Sequence, residues 1–291
     1  MVRVGTGFHE TFKLDRSRLI DVLQLAREND ERPQSERGFT KADLDNSATS
    51  LGPNMRRAFP RYGVAAGLLK QQGTRYLLTD FGQLALGHDS LLDEAATQWL
   101  MHYHLSASQG PGPLFWNLSM VSALSRGDFL TRHDVERSIM EAQSSTRDGA
   151  ASQRLLQSTT TIFFGTYTDS AGLSRIDLMR SGLYADERFE LAPPSNSASV
   201  WAFGFALVDH WLRAWQDQLT VSLDRLRESD SPAKLLFLDE ASVEAHLEIL
   251  QQEGLIELYR IAPPYQIARR WADSTETAKT CLERMFQRGP Q

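Results

Sequence analysis

Cysteine is nearly absent: Cys281 is the only one in 291 residues. Intramolecular disulfides and cysteine-rich zinc clusters are therefore excluded. No apolar run is long enough to span a bilayer, and Met1 to Lys13 lacks the apolar stretch of a signal peptide. The expected setting is a reducing cytoplasm, with no membrane partner. There is no Walker-type loop, and Gly5-Thr6-Gly7 is too short for a nucleotide fingerprint. No serine sits in a nucleophile elbow. One further absence is local: between Asn46 and Thr79 there is no Asp or Glu.

That acid-free stretch holds Arg56, Arg57, Arg61, Lys70 and Arg75. The whole chain carries 31 basic and 37 acidic residues, a net charge of -6. Without the five cations the remainder would stand at -11. A cationic island in an acidic protein points to a local anionic partner, and a phosphate backbone is the commonest such partner. DNA is thus the first expectation, with Asn54, Arg56, Arg57, Arg61, Lys70 and Arg75 as the candidate DNA-binding residues. Asn54 can hydrogen-bond a base edge or a phosphate.

The pattern around the island predicts a winged helix. Leu19, Ile20, Val22, Leu23 and Ala26 form the inner face of a first helix after Asp15. Thr40, with Asp43 three residues on, predicts a short capped helix over Lys41 to Ala48. Pro53 fits the first position of a basic helix, which Pro60 kinks or restarts before Ala65 to Leu69. A turn at Gly73, a strand over Tyr76 to Leu78 and a Thr79-capped helix over Phe81 to Leu86 follow. Helix, helix, basic helix and strand is the winged-helix order.

Farther on, helical stripes cover Leu92 to Tyr103, Leu114 to Leu124, Arg132 to Ala142, Ser152 to Phe164 and Ser199 to Leu219. Ser144 to Ala151 is a polar linker, and a loop surrounds Pro193-Pro194. Toward the end, Leu235 to Leu238 is expected as a strand, and Asp239 to cap a helix over Ala241 to Gln252. Ile256 to Ile261 and Tyr265 to Ala268 then alternate as a hairpin across Pro263-Pro264. The expected fold is mostly α (α+β). It comprises a winged-helix domain over 1–88, a helical middle domain over 89–219 and a winged-helix-like unit over 220–291. Arg260, Arg269 and Arg270 lie near the second wing.

His9-Glu10 is the sharpest catalytic pair, because an imidazole and a carboxylate together can move protons or hold a metal. The plainer reading is that both satisfy backbone groups at the start of the fold. His102-Tyr103-His104 would bind a metal from a strand, but the surrounding stripe is helical. Positions two apart then diverge by about 200°. Asp273, Glu276 and Lys279 fit charge pairing on a solvated helix better than a nuclease site. Trp99, Trp116, Trp201, Trp211 and Trp215 recur at helical spacing and are expected in the core.

Motifs along the chain resemble one bacterial family of unknown function, encoded beside DNA phosphorothioation and phage-defence genes. The residues carrying the resemblance begin with His9-Glu10-Thr11-Phe12, Leu51-Gly52, Asn54-Met55, Arg57-Ala58 and Gly67-Leu68-Leu69. Leu78-Thr79, Phe81-Gly82, Asp93, Trp99-Leu100, His102-Tyr103-His104-Leu105 and Phe129-Leu130-Thr131-Arg132 follow in order. Asp209-His210-Trp211, Ser231-Pro232 and Phe237-Leu238-Asp239-Glu240 complete the series. The family is similar to the SspB-like component of the Ssp phosphorothioation system. The resemblance implies DNA engagement in modification or defence, with strand nicking, or else a noncatalytic DNA-binding scaffold that recruits sulfur-transfer enzymes. It also implies other phosphorothioation or defence proteins as partners, and Mg²⁺ or Mn²⁺ as the metal of a nickase. The sequence is compatible with a homodimer.

Overall fold

The computed structural model describes residues 4–126, 129–145, 152–181, 188–191 and 197–287. It is mostly helical with small antiparallel sheets, the expected α+β class. The chain forms two compact units, Met1–Asn196 and Ser197–Gln291.

The first unit opens with α1 (Arg16–Glu28), capped by Asp15, whose carboxylate accepts the Ser17 and Arg18 N–H groups at 2.9 and 3.4 Å. Next comes α2 (Lys41–Asp45) in a reciprocal capping box of Thr40 and Asp43. The bonds from Thr40 hold the Asp43 carboxyl down at about 2. Helix α3 (Met55–Ala65) runs through Pro60 without restarting. Its Ala58, Phe59, Pro60 and Tyr62 are buried, so packing outweighs the hydrogen bond that proline cannot donate.

The expected continuation of that helix to Leu69 is corrected. Helix α3 ends at Ala65, Gly67 turns the chain at φ 76°, and β1 (Leu69–Gln72) begins. A Cβ at Gly67 would lie 2.2 Å from the His104 ring, so close approach as well as backbone conformation requires glycine there. Strand β1 pairs antiparallel with β2 (Arg75–Leu78), and Phe39 bridges Tyr76 on the other side of β2. Thr79 then caps α4 (Asp80–His88).

Helix α5 (Ala95–Ser106) is buried from Thr97 to its end, as befits a central helix. After it come α6 (Leu114–Arg126), which packs against it, β3 (Phe129–Thr131), α7 (Arg132–Ser144) and α8 (Gln153–Thr168). Strands β4 (Met179–Ser181) and β5 (Arg188–Leu191) complete a sheet of order β3-β5-β4. Most of the expected Ser144 to Ala151 linker and the Pro193-Pro194 loop lie outside the described residues.

The second unit is built on α9 (Val200–His210), buried from Val200 to Asp209. The expected helix to Leu219 is interrupted: a π-helical turn covers Trp211–Trp215, and Gln216 takes φ 47°. Strand β6 (Thr220–Ser222) follows, and the expected strand over Leu235 to Leu238 is not formed: α10 (Pro232–Leu235) ends at the first of those residues, and Leu236 and Phe237 turn the chain. The reason is local: Ser231 caps the helix and Pro232 occupies its first position. Helix α11 (Glu240–Gln252), strands β7 (Ile256–Tyr259) and β8 (Gln266–Arg269), and α12 (Ser274–Gln287) close the unit, with sheet order β6-β8-β7. All five tryptophans expected in the core are buried.

Candidate functional site

Exposed cations gather on α3 and its hairpin. Arg57 and Arg61 stand one helical turn apart, with side chains 52% and 43% exposed. Arg56 donates to the Asp45 carbonyl at 3.1 Å and lies 3.6 Å from the Asp45 carboxylate. Arg75 on β2 donates to the carbonyls of Glu36 at 2.8 Å and Gly38 at 3.3 Å, tying the hairpin to the loop before α2. The ammonium of Lys70 on β1 has no partner among the described residues. Burial raises the Tyr76 phenol pKa while the Arg61 charge opposes it, so α3 and the hairpin share this electrostatic neighbourhood. Asn54 makes no cap bond with its side chain; its side-chain Oδ1 accepts from the Arg57 guanidinium instead.

The arginines have a counter-charge that sequence proximity hides. Glu10 lies 3.7 Å from Arg57 and 3.5 Å from Arg61, although 51 positions separate it from the latter. A rigid turn holds it there. Phe8 is buried edge-on against the Tyr62 ring, at 4.7 Å between centroids, and the Tyr62 hydroxyl donates to the Phe12 carbonyl at 2.7 Å.

His9, between them, is buried with both nitrogens engaged. Its Nδ1 accepts the Thr11 N–H at 3.1 Å, which places the proton on Nε2, facing the Thr159 hydroxyl at 2.9 Å. Burial pulls its pKa down to about 4, so the imidazole is neutral at neutral pH. Glu10 and Thr11 follow at φ 47° and 75°, two consecutive left-handed residues without a glycine.

His102 and His104 turn to different neighbours. His102 Nδ1 lies 2.7 Å from the Tyr167 hydroxyl, while the His104 ring stacks on Phe81 and covers Gly67. The helical reading of this segment therefore holds. Asp273 caps α12 through the N–H groups of Thr275 and Glu276.

Residues 7–286 match the model of a family described as a protein of unknown function, DUF4007. The chain belongs to that family. Two solved structures share the DUF4007 member's fold at low identity. One is an SspB crystal structure, with TM-score 0.77 and 17% identity over 98% of this chain and 89% of that one. The other is magnesium ion-bound SspB, with TM-score 0.76 and 16% identity over the same shares. No curated protein matches the chain.

Magnesium takes a shell rich in oxygen ligands. At His9 and Glu10 this DUF4007 chain offers one carboxylate facing two guanidinium groups, and an imidazole with no free nitrogen. Those residues do not fit a magnesium ion. Among the described residues, no three His, Cys, Asp or Glu side chains converge as a metal site.

Proposed function

We propose that this DUF4007 member is the DNA-engaging component of a bacterial phosphorothioate-modification and antiphage-defence system. The observation that carries this reading is the likeness to SspB over 98% of the chain. Residues 1–88 act as a winged helix: α3 is the helix that meets DNA, β1–β2 is the wing, and Phe39 supplies the third, minimal strand. Arg57 and Arg61 contact phosphates, with Lys70 and Arg75 extending the face along the hairpin. Asn54 and Arg56 border the start of α3. Other proteins of the same system are the expected partners.

On this reading His9 is a positioning residue that fixes the turn bearing Glu10, and the protein recruits modification enzymes to the duplex. The engaged His9 nitrogens support this noncatalytic form. A second reading, metal-dependent strand nicking, is favoured by the magnesium-bound state of an SspB of the same fold.

Incubation of purified protein with supercoiled plasmid and Mg²⁺ or Mn²⁺ separates the two. Open circles that form with the metal and vanish with chelator would establish nicking. Intact plasmid in the presence of measurable DNA binding would establish the scaffold.

A further inference from the structure

The turn that carries Glu10 is built with unusual effort. Two successive non-glycine residues adopt left-handed φ angles of 47° and 75°. Such conformations are costly for residues with a side chain and persist only where surrounding structure holds them. Here Phe8 packs beneath the turn, His9 is locked by Thr11 and Thr159, and Tyr62 fastens Phe12. The product is a carboxylate suspended over the one pair of α3 arginines that are spaced a single turn apart and point outward. Each carboxylate oxygen faces its own guanidinium, at 3.5 and 3.7 Å. At those distances the pairing is loose, and all three side chains remain partly exposed, so an incoming anion can displace it.

We infer that Glu10 is an internal competitor for the DNA phosphate, a fixed carboxylate occupying the place between Arg57 and Arg61 where a phosphate binds. The inference rests on the proposed DNA face. A phosphate reaching α3 must displace Glu10 or share the arginines with it. Binding through the backbone alone is thereby weakened, and stable engagement requires further contacts from Lys70, Arg75 or a base edge. Glu10 is then an affinity-setting residue, distinct in effect from a carboxylate that merely holds the arginines in place. A buttress improves binding, whereas a competitor opposes it.

The test is duplex-DNA affinity of Glu10→Gln by fluorescence anisotropy across a salt series. Glu10→Asn serves as a second variant, because asparagine tolerates left-handed φ. Releasing two exposed ion pairs should tighten binding to any sequence by about tenfold. It should also steepen the salt dependence by about one unit, since one more net cation faces the phosphates. Glu141→Gln on α7 removes the same charge elsewhere and should leave affinity within about twofold. The gain must also disappear in an Arg57→Ala/Arg61→Ala background, which removes the competed site.

Unchanged or weaker binding by both Glu10 variants, with thermal unfolding intact, would overturn the competitor while leaving the DNA face in place. If the double arginine variant binds as wild type does, the DNA face itself is misplaced and the inference falls with it.

Discussion

His9 and Thr159 are joined by a 2.9 Å hydrogen bond across 150 residues of sequence, which fastens the first turn of the chain to α8. Because the imidazole is buried, its pKa falls to about 4 in the fold, against about 6.5 unfolded. The unfolded chain therefore binds more protons between those values. The contribution is complete above pH 6.5 and is lost as pH falls toward 4. It amounts to roughly 3 kcal/mol. Denaturant unfolding of wild type and His9→Gln at pH 7 and pH 4.5 should show the wild type losing more stability on acidification. Parallel losses would contradict the burial argument.

Tyr167 lies at the centre of a buried polar group. Trp116 Nε1–H donates to its oxygen at 2.8 Å, and its own hydroxyl faces His102 Nδ1 at 2.7 Å. Tyr167→Phe strands the Trp116 donor in the interior, and an unsatisfied buried donor costs about 1–3 kcal/mol. Chemical denaturation should register a loss of that size with the fold retained. A variant as stable as wild type would show that the hydroxyl is dispensable there.

Gly67 fits against His104 so closely that an added methyl would meet the ring at 2.2 Å, and φ 76° strains any side chain. Gly67→Ala should destabilise by about 2 kcal/mol or more, since both backbone strain and overpacking act. Adding His104→Ala should recover part of the loss by opening space. Additive losses in the double variant would mean that the two residues do not share this contact.

Much of the fold was legible because its signals are local. Thr40 with Asp43, Thr79 and Asp239 cap helices at or close to where their side-chain chemistry predicts, and Gly73 turns the first hairpin. The misread segments depend on distant partners. Strands β3, β4 and β6 are three residues each, too short for a period to register, and pairing alone defines them. Strand β1 follows Gly67 with Leu68 and Leu69, an apolar run that passes for the end of a helix. At the candidate site the basic island was plain from composition, but its carboxylate was not. Glu10 reaches Arg57 and Arg61 through a tertiary turn, and only its adjacency to His9 marked it in the sequence.

The second hairpin offers a contrast to the first. Arg260 is 2.7 Å from Glu244 and also faces Glu248, both on α11, and Arg270 pairs with Glu257. The helix preceding this wing is therefore acidic and satisfies the wing's arginine itself. Arg260→Ala/Arg270→Ala should change duplex affinity by less than about twofold, because paired surface charges add little. A loss of tenfold or more would move the DNA face to this unit.

The most direct test of the central claim is the salt dependence of duplex binding for wild type and Arg57→Ala/Arg61→Ala. Each neutralised phosphate contributes a slope near 0.9 in log affinity against log salt. Glu10 already offsets part of the arginine charge, so the double variant should flatten the slope by between about one and two units. It should also bind all sequences more weakly, since phosphate contacts carry no sequence information. Wild-type affinity and slope in a folded double variant would contradict the assignment of α3 as the DNA-binding face.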